Sequence, residues 1–302
     1  MKRKTRRLLF YFAVIVFAIL GYLVALFALG YQYDFVQNKF FKTGVLQVNT
    51  NRGAEVYIND ELAGQTSFLT NSFSKSRLLP RAYTVRIQQD GYQIWQKLIT
   101  IEAERFTHFP KVTLLPKELP EQIVASTSIT GPIKAGFIAD QKRVLLTGSK
   151  SQTEIFDLTT GQKIKPNGKK APTAPSQPAS QQKNEDRVLL ESPDGEKALE
   201  FNSHEIWVEW IKDAGYQPYK KTGERGLITR FAQSIHDVQW YKDSAHVIAD
   251  IGGVLKLIEI DDRDGINIMD IALSTGVFYY DKGMNAIFKL DGKNIIKIGL
   301  DD

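Results

Sequence analysis

Two hydrophobic patterns divide the chain. Residues 8–33 carry no charge, and the run "LLFYFAVIVFAILGYLVALFALG" at residues 8–30 is apolar on every face. A helix rises about 1.5 Å per residue, and about 20 residues cross a hydrocarbon core, so residues 8–30 predict one membrane-spanning helix. After a short juxtamembrane stretch at residues 38–43 the period drops to two. "VLQVNT", "AEVYIN", "AYTVRIQQ", "IWQKLITI" and "FTHFPKVTLL" each alternate as half-buried strands do. In "AYTVRIQQ", Tyr83, Val85 and Ile87 fall on one face and Thr84, Arg86 and Gln88 on the other. Asn59-Asp60 and Asp90-Gly91 stand between strands, where residues tolerant of positive φ are needed. Residues 44–116 therefore predict a small β-sandwich or antiparallel sheet.

The remainder, residues 121–302, follows a short hinge, "LPKELPEQ", with two prolines in a polar run. It repeats one plan four times: an acidic turn residue, an apolar strand, a polar turn and a second apolar strand. The copies are "DQKRVLLTGSKSQTEIFDL" from Asp140, "DGEKALEFNSHEIWVEW" from Asp194, "DSAHVIADIGGVLKLIEI" from Asp243 and "DKGMNAIFKLDGKNIIKIGL" from Asp281. Fuller hairpins, "RVLLESPDGEKALEF" and "DVQWYKDSAHVIAD", overlap two of them. Residues 165–186, rich in Pro, Ser, Gln and Lys, cannot bury enough apolar surface to order themselves and predict an exposed flexible loop.

Charge sharpens the topology. The formal net charge is +5, and Lys2, Arg3, Lys4, Arg6 and Arg7 supply five positive charges; without them, basic and acidic side chains balance at 34 each. The basic balance thus marks a cytoplasmic tail at residues 1–7, not a nucleic-acid-binding face. Residues 34–302 are expected outside, with Tyr31, Tyr33 and Phe35 in an aromatic belt. A cleaved signal, ending near Ala28-Leu29-Gly30, is the alternative; the apolar run is longer than signals of about 7–15 residues. The chain has no cysteine, so disulfides, thiolate zinc sites and thiol catalysis are excluded.

Residues 44–116 resemble the PEGA domain, a small β-sandwich module of prokaryotic surface proteins. The resemblance rests on "GVLQVNT", on "GAEVYI" followed by a turn and "AGQT", on "LLPRAYTVRI", on "DGYQIW" and on the closing "VTLLP". The chain departs from the family pattern at Asn51-Arg52, Asp60, Ser67 and Arg81, all turn positions. The two fuller hairpins resemble the turn and strand of TolB-like and WD-type propeller blades. With a blade of roughly 40–50 residues, residues 121–302 hold about four. A small or irregular propeller and an open β-structure pairing with another copy both fit.

Catalytic patterns are sparse. His108, His204, His236 and His246 are too scattered for a local zinc motif, and no nucleophile elbow or phosphate loop occurs. "DDRDGIN" at residues 261–267 lacks the carboxylate spacing of a calcium loop and is expected to be a turn between blades. No cofactor or metal is expected. The unusual exposed feature is a loop at residues 212–231, where Tyr216, Tyr219, Lys220, Lys221 and Arg225 form a candidate recognition surface. The expectation is a single-pass, extracytoplasmic, non-catalytic platform. Its partners would be the membrane and an envelope protein or cell-wall glycan. An envelope enzyme or accessory is the alternative, and the oligomeric state is open.

Overall fold

The computed structural model describes residues 3–51, 53–138, 142–149, 152–164, 181–184, 187–274 and 276–301. The protein is mostly β, with one apolar helix at its N-terminus. Helix α1 (Arg3–Ala28) is long and apolar enough to cross a membrane, and none of its residues is buried. Arg3, Lys4, Arg6 and Arg7 lie on the helix itself, not in a separate tail, because Lys and Arg are good helix formers. They occupy the end where the helix dipole is positive, with no acidic residue in the first turn. That placement works against helix stability, so these cations are there for another reason. The helix ends at Ala28, two residues before the expected end at Gly30, whose φ of +83° only glycine adopts freely.

The stretch expected to be a plain juxtamembrane segment is a hairpin, β1 (Tyr31–Asp34) against β2 (Lys39–Lys42). Its turn is held by Asp34 Oδ1, which accepts from the amides of Val36 (2.8 Å) and Gln37 (3.3 Å).

By internal contacts the chain forms two compact units. The first is Met1–Ile87 with Leu98–Val112; the second is Gln88–Lys97 with Thr113–Asp302. The sandwich consists of two sheets. In one, β3 (Gly44–Asn49) lies between β6 (Ser72–Leu78) and β9 (Phe106–Phe109), with β9 parallel to β3. The other runs in the order β5 (Glu61–Gln65), β4 (Glu55–Ile58), β7 (Ala82–Gln88), β8 (Trp95–Thr100). Alternation is kept: Tyr83, Val85 and Ile87 are buried, as are Leu46, Val48, Val56 and Ile58. Asn59 and Asp60 both take positive φ, 50° and 64°, and make the two-residue turn between β4 and β5. At Gly44 a Cβ would stand 2.4 Å from the Glu102 carbonyl oxygen, so no larger residue fits.

The second unit is propeller-like: four small antiparallel sheets follow one another. The first holds β11 (Ile133–Ile138), β12 (Arg143–Gly148), β13 (Thr153–Asp157) and β14 (Lys163–Ile164). The second holds β15 (Gln181–Asn184), β16 (Arg187–Glu191), β17 (Lys197–Phe201), β18 (Glu205–Trp210) and β19 (Arg225–Arg230). The third holds β20 (Ile235–Trp240), β21 (His246–Ile251), β22 (Val254–Glu259) and β23 (Ile268–Leu273). The fourth holds β24 (Phe278–Asp281), β25 (Ala286–Asp291) and β26 (Asn294–Gly299), and is completed by β10 (Glu121–Ser126), which pairs with β26. Each sequence repeat supplies one central hairpin: β12–β13, β17–β18, β21–β22 and β25–β26.

Two expectations change. Residues 181–184 of the expected flexible loop form β15, whose polar composition suits a sheet-edge strand that needs only backbone pairing. The rest of that loop, residues 165–180 and 185–186, lies outside the described residues, as does Asp140. Residues 225–230 of the expected recognition loop are strand β19, paired with β18.

Apolar cores join neighbouring sheets. Leu199, Ile206 and Val208 of the second sheet pack with Val238, Val247 and Ile258 of the third. Val144, Leu146 and Phe156 of the first pack with Ala286, Phe288 and Ile295 of the fourth. Polar bonds also cross between the second and third sheets, among them one from Trp240 Nε1 to the Leu190 carbonyl at 2.7 Å. Trp240→Phe removes that bond and some buried volume. It is expected to cost about 1–3 kcal/mol, read as a lower urea midpoint at unchanged slope. An unchanged midpoint would show that the contact does not brace the two sheets.

Candidate functional site

The five residues singled out in the loop are mostly engaged by neighbouring side chains. Tyr216 OH stands 3.4 Å from the buried Lys197 Nζ. Lys220 Nζ lies 5.2 Å from the centre of the Trp210 ring. Lys221 Nζ is bound to Asp213 at 2.9 Å, and Arg225 bonds Glu200 at 2.8 Å while covering the Trp207 ring. Tyr219 and Lys221 are both largely exposed, Tyr219 at 71% and the Lys221 side chain at 77%. Asp213 organises the loop: the Thr222 amide, then Lys221 and the Thr222 hydroxyl, hold its carboxyl down at about 2. The charges that looked available for a ligand are spent on closing the loop.

The acidic turn residues of the repeats have a common geometry. Asp194 Oδ1 accepts from the Glu196 amide, Asp243 Oδ1 from the Ala245 and His246 amides, and Asp281 Oδ1 from the Met284 amide. Three residues after Asp194 and Asp243 stands a buried basic group, Lys197 (3.0 Å) and His246 (2.7 Å), that pairs with the same carboxylate. The acidic residues thus cap the turns and neutralise a buried neighbour, a pairing visible in retrospect as an Asp-x-x-Lys/His spacing.

Within the second unit the densest polar cluster surrounds Lys97 and Glu259, both buried and 3.3 Å apart. Lys97 Nζ also donates to the carbonyls of Asp261 (2.7 Å) and Arg263 (3.1 Å). Glu259 Oε2 also accepts from Trp95 Nε1, the Asn267 amide and Asn267 Nδ2. His246 is the cross-strand partner of Glu259 and is fully buried. Burial pulls its imidazole toward the neutral form, but Asp243 and then Glu259 outweigh this, with Lys97 opposing, and the net direction is upward. The "DDRDGIN" segment contributes the Asp261 and Arg263 carbonyls and lies between β22 and β23. It is therefore a turn within one sheet rather than between blades.

Strands β20 and β21 bring together a carboxylate pair that sequence reasoning did not locate. Asp237 and Asp250 are cross-strand partners. His236, at a bulge, places Nδ1 3.1 Å from Asp250 Oδ1. Burial raises the Asp237 carboxyl, Gln239 and the Val238 amide lower it, and Asp250 adds repulsion; the net shift is upward. His108 on β9 lies near Asn49 on β3, and His204 bonds the Phe231 carbonyl. Among the described residues no group of three metal-ligating side chains forms.

In the sandwich, Thr66 of "AGQT" is buried, accepts from the Ala54 amide at 2.9 Å and donates to the Asn51 carbonyl at 2.7 Å. Its hydroxyl closes the turn that follows β3. Residues 43–116 match the PEGA domain. The PEGA segment contributes residues 88–97 and 113–116 to the second unit and the rest to the first. No curated protein matches the chain. Among solved structures it is similar to the extracellular domain of a putative hybrid two-component system from B. thetaiotaomicron. There the identity is 10% and the TM-score 0.27, with 90% of this chain and 31% of that one covered. It is also similar to the Cps50 (Swd1) β-propeller domain of Myceliophthora thermophila, at 14% identity and TM-score 0.29, covering 73% of this chain and 68% of that one. A functionally unknown protein from Desulfotomaculum acetoxidans matches at 12% identity and TM-score 0.25, covering 68% and 59%. The chain therefore spans about a third of the first of these proteins and three-fifths of the last.

Two substitutions test the buried charges. Lys97→Met leaves Glu259 buried without its cation and is expected to cost about 3–5 kcal/mol. Adding Glu259→Gln should recover part of that loss in a double-mutant cycle, and additive losses would show that the two groups do not act as a pair. Asp237→Asn removes a carboxyl whose folded pKa is raised. The folded state then binds the extra proton between the unfolded and folded values, so the acid loses stability as pH rises through that window. The Asn variant should be more stable than the wild type at pH 7, with the advantage vanishing below about pH 3. An advantage that persists at low pH would assign it to packing instead.

Proposed function

We propose that the protein is a membrane-anchored, extracytoplasmic, non-catalytic platform of the prokaryotic cell envelope. Helix α1 acts as the anchor, its cationic end stays cytoplasmic, and the PEGA segment and the four sheets stand outside. The observation that carries this reading is the helix: 26 residues, none buried, with its charge confined to one end. A soluble protein would bury such a surface, since exposed apolar patches of this size draw partners or aggregate. The resemblance of residues 43–116 to a module of surface proteins supports the outward placement, and their role is to present β surfaces to an envelope protein or cell-wall glycan.

The full chain is expected to stay in the membrane pellet after alkaline carbonate extraction. Protease added to intact protoplasts should digest the β units. Recovery in the soluble cytosol, or protection from external protease, overturns the topology. The purified full chain in a maltoside detergent should bind cell-wall glycans or envelope peptides saturably and return them unchanged. Product formation would favour an envelope enzyme or enzyme accessory.

A further inference from the structure

Where α1 ends, the first unit has a small cavity of about 180 Å³. Its walls are Leu23, Leu26 and Phe27 of the helix together with Tyr31 and Tyr33 of the β1–β2 hairpin, and its polar rim includes Arg77. The volume is below the roughly 300–1,000 Å³ of drug-sized sites and suits a small polar head more than a large ligand.

Arg77 reaches this cavity by an unusual route. The register between β3 and β6 shifts between Gly44 and Leu46, so β6 carries a bulge opposite them. Arg77 sits in that bulge at a φ of +62°. A bulge re-aims a side chain, and a non-glycine residue at positive φ is held there at a cost. Here the bulge sends the guanidinium over the Phe27 ring, 3.3 Å from its centre. Among the described residues the Arg77 side chain makes no hydrogen bond and no ion pair. A cation with five donors thus stands at the end of an apolar helix with only a ring beneath it.

The surroundings have the character of a membrane surface. Tyr33 packs edge-on against Phe35 and Phe40 at 5.0 Å each, and Leu29, Phe35 and Val36 are 69%, 84% and 83% exposed. Amphipathic rings and exposed apolar tips next to a membrane-length helix belong at headgroup depth. The charge that meets an arginine at that depth is a lipid phosphate, and a guanidinium matches phosphate with two parallel hydrogen bonds.

We propose that Arg77, with the end of α1 and the β1–β2 hairpin, forms a binding site for the phosphate headgroup of an anionic phospholipid at the outer membrane surface. The proposal rests on the anchored reading above, and its failure can be told apart from failure of that reading. The full chain in maltoside is titrated with short-chain phosphatidylglycerol and, separately, with inorganic phosphate. Arg77→Lys, Arg77→Gln and Arg77→Gly are run in parallel; the glycine variant relieves the positive φ and so guards against misfolding. Expected is saturable binding of the lipid, weakened about tenfold or more by Gln and Gly, retained in part by Lys, with inorganic phosphate much weaker. Equal lipid binding by the wild type and the folded glycine variant overturns the site. Equal affinity for inorganic phosphate and the lipid overturns the lipid assignment. Carbonate extraction of the same variants should be unchanged, because anchoring depends on α1; a chain that fails extraction but binds the lipid through Arg77 would sink the topology and leave the site standing.

Discussion

Backbone pairing is the constraint on which the second unit depends. A strand at the edge of a sheet leaves a row of N–H and C=O groups unpaired, and each of the four separate sheets has two such edges. The four-sheet region sets its first strand beside its last, so that β26 is not an edge: β10 pairs with β26, with Glu121 opposite Ile298 and Ser126 opposite Asn294. Residues far apart in sequence therefore belong to one sheet, and the fourth sheet is incomplete until β10 arrives. Such non-local pairing makes folding slower than in a chain of purely local hairpins, since the loop must close before the ladder is formed.

Much of this architecture was legible because local pattern and tertiary use agree. The four repeated hairpins all form, and Asp194, Asp243 and Asp281 cap the turns that open three of them, since an Asp that caps a tight turn needs only its own backbone neighbours. The Asn59-Asp60 turn is of the same kind. Less visible were elements whose sequence carries no apolar alternation. Strand β6, "SFSKSRL", buries only Phe73 and Leu78 and lies at a sheet edge, and the β1–β2 hairpin is mostly exposed. Edge strands are specified by pairing rather than by burial, so composition alone does not mark them.

The candidate site was harder to foresee for a different reason. Tyr216, Lys220, Lys221 and Arg225 look like a binding surface when the chain is read as a line, because charged and aromatic residues cluster there. Folding gives the cations partners within the protein: Asp213, Glu200 and the rings of Trp207 and Trp210 meet them, the Lys221–Asp213 pair at the surface. Conversely, Lys97, Glu259 and His246 are scattered over some 160 residues and carry no motif, yet they share a buried network. Long-range charge pairing of this kind follows from topology, and sequence spacing carries no trace of it.

The brief join between α1 and the sandwich has a mechanical result. Thr43 donates to the Gly30 carbonyl from both its amide (3.0 Å) and its hydroxyl (2.9 Å), and Lys42 reaches Glu104 at 2.5 Å. The hairpin is thereby tied at its base to the end of the helix and, through Glu104, to the sandwich. The chain leaving the helix enters the first sheet through a closed hydrogen-bonded loop instead of an open tether.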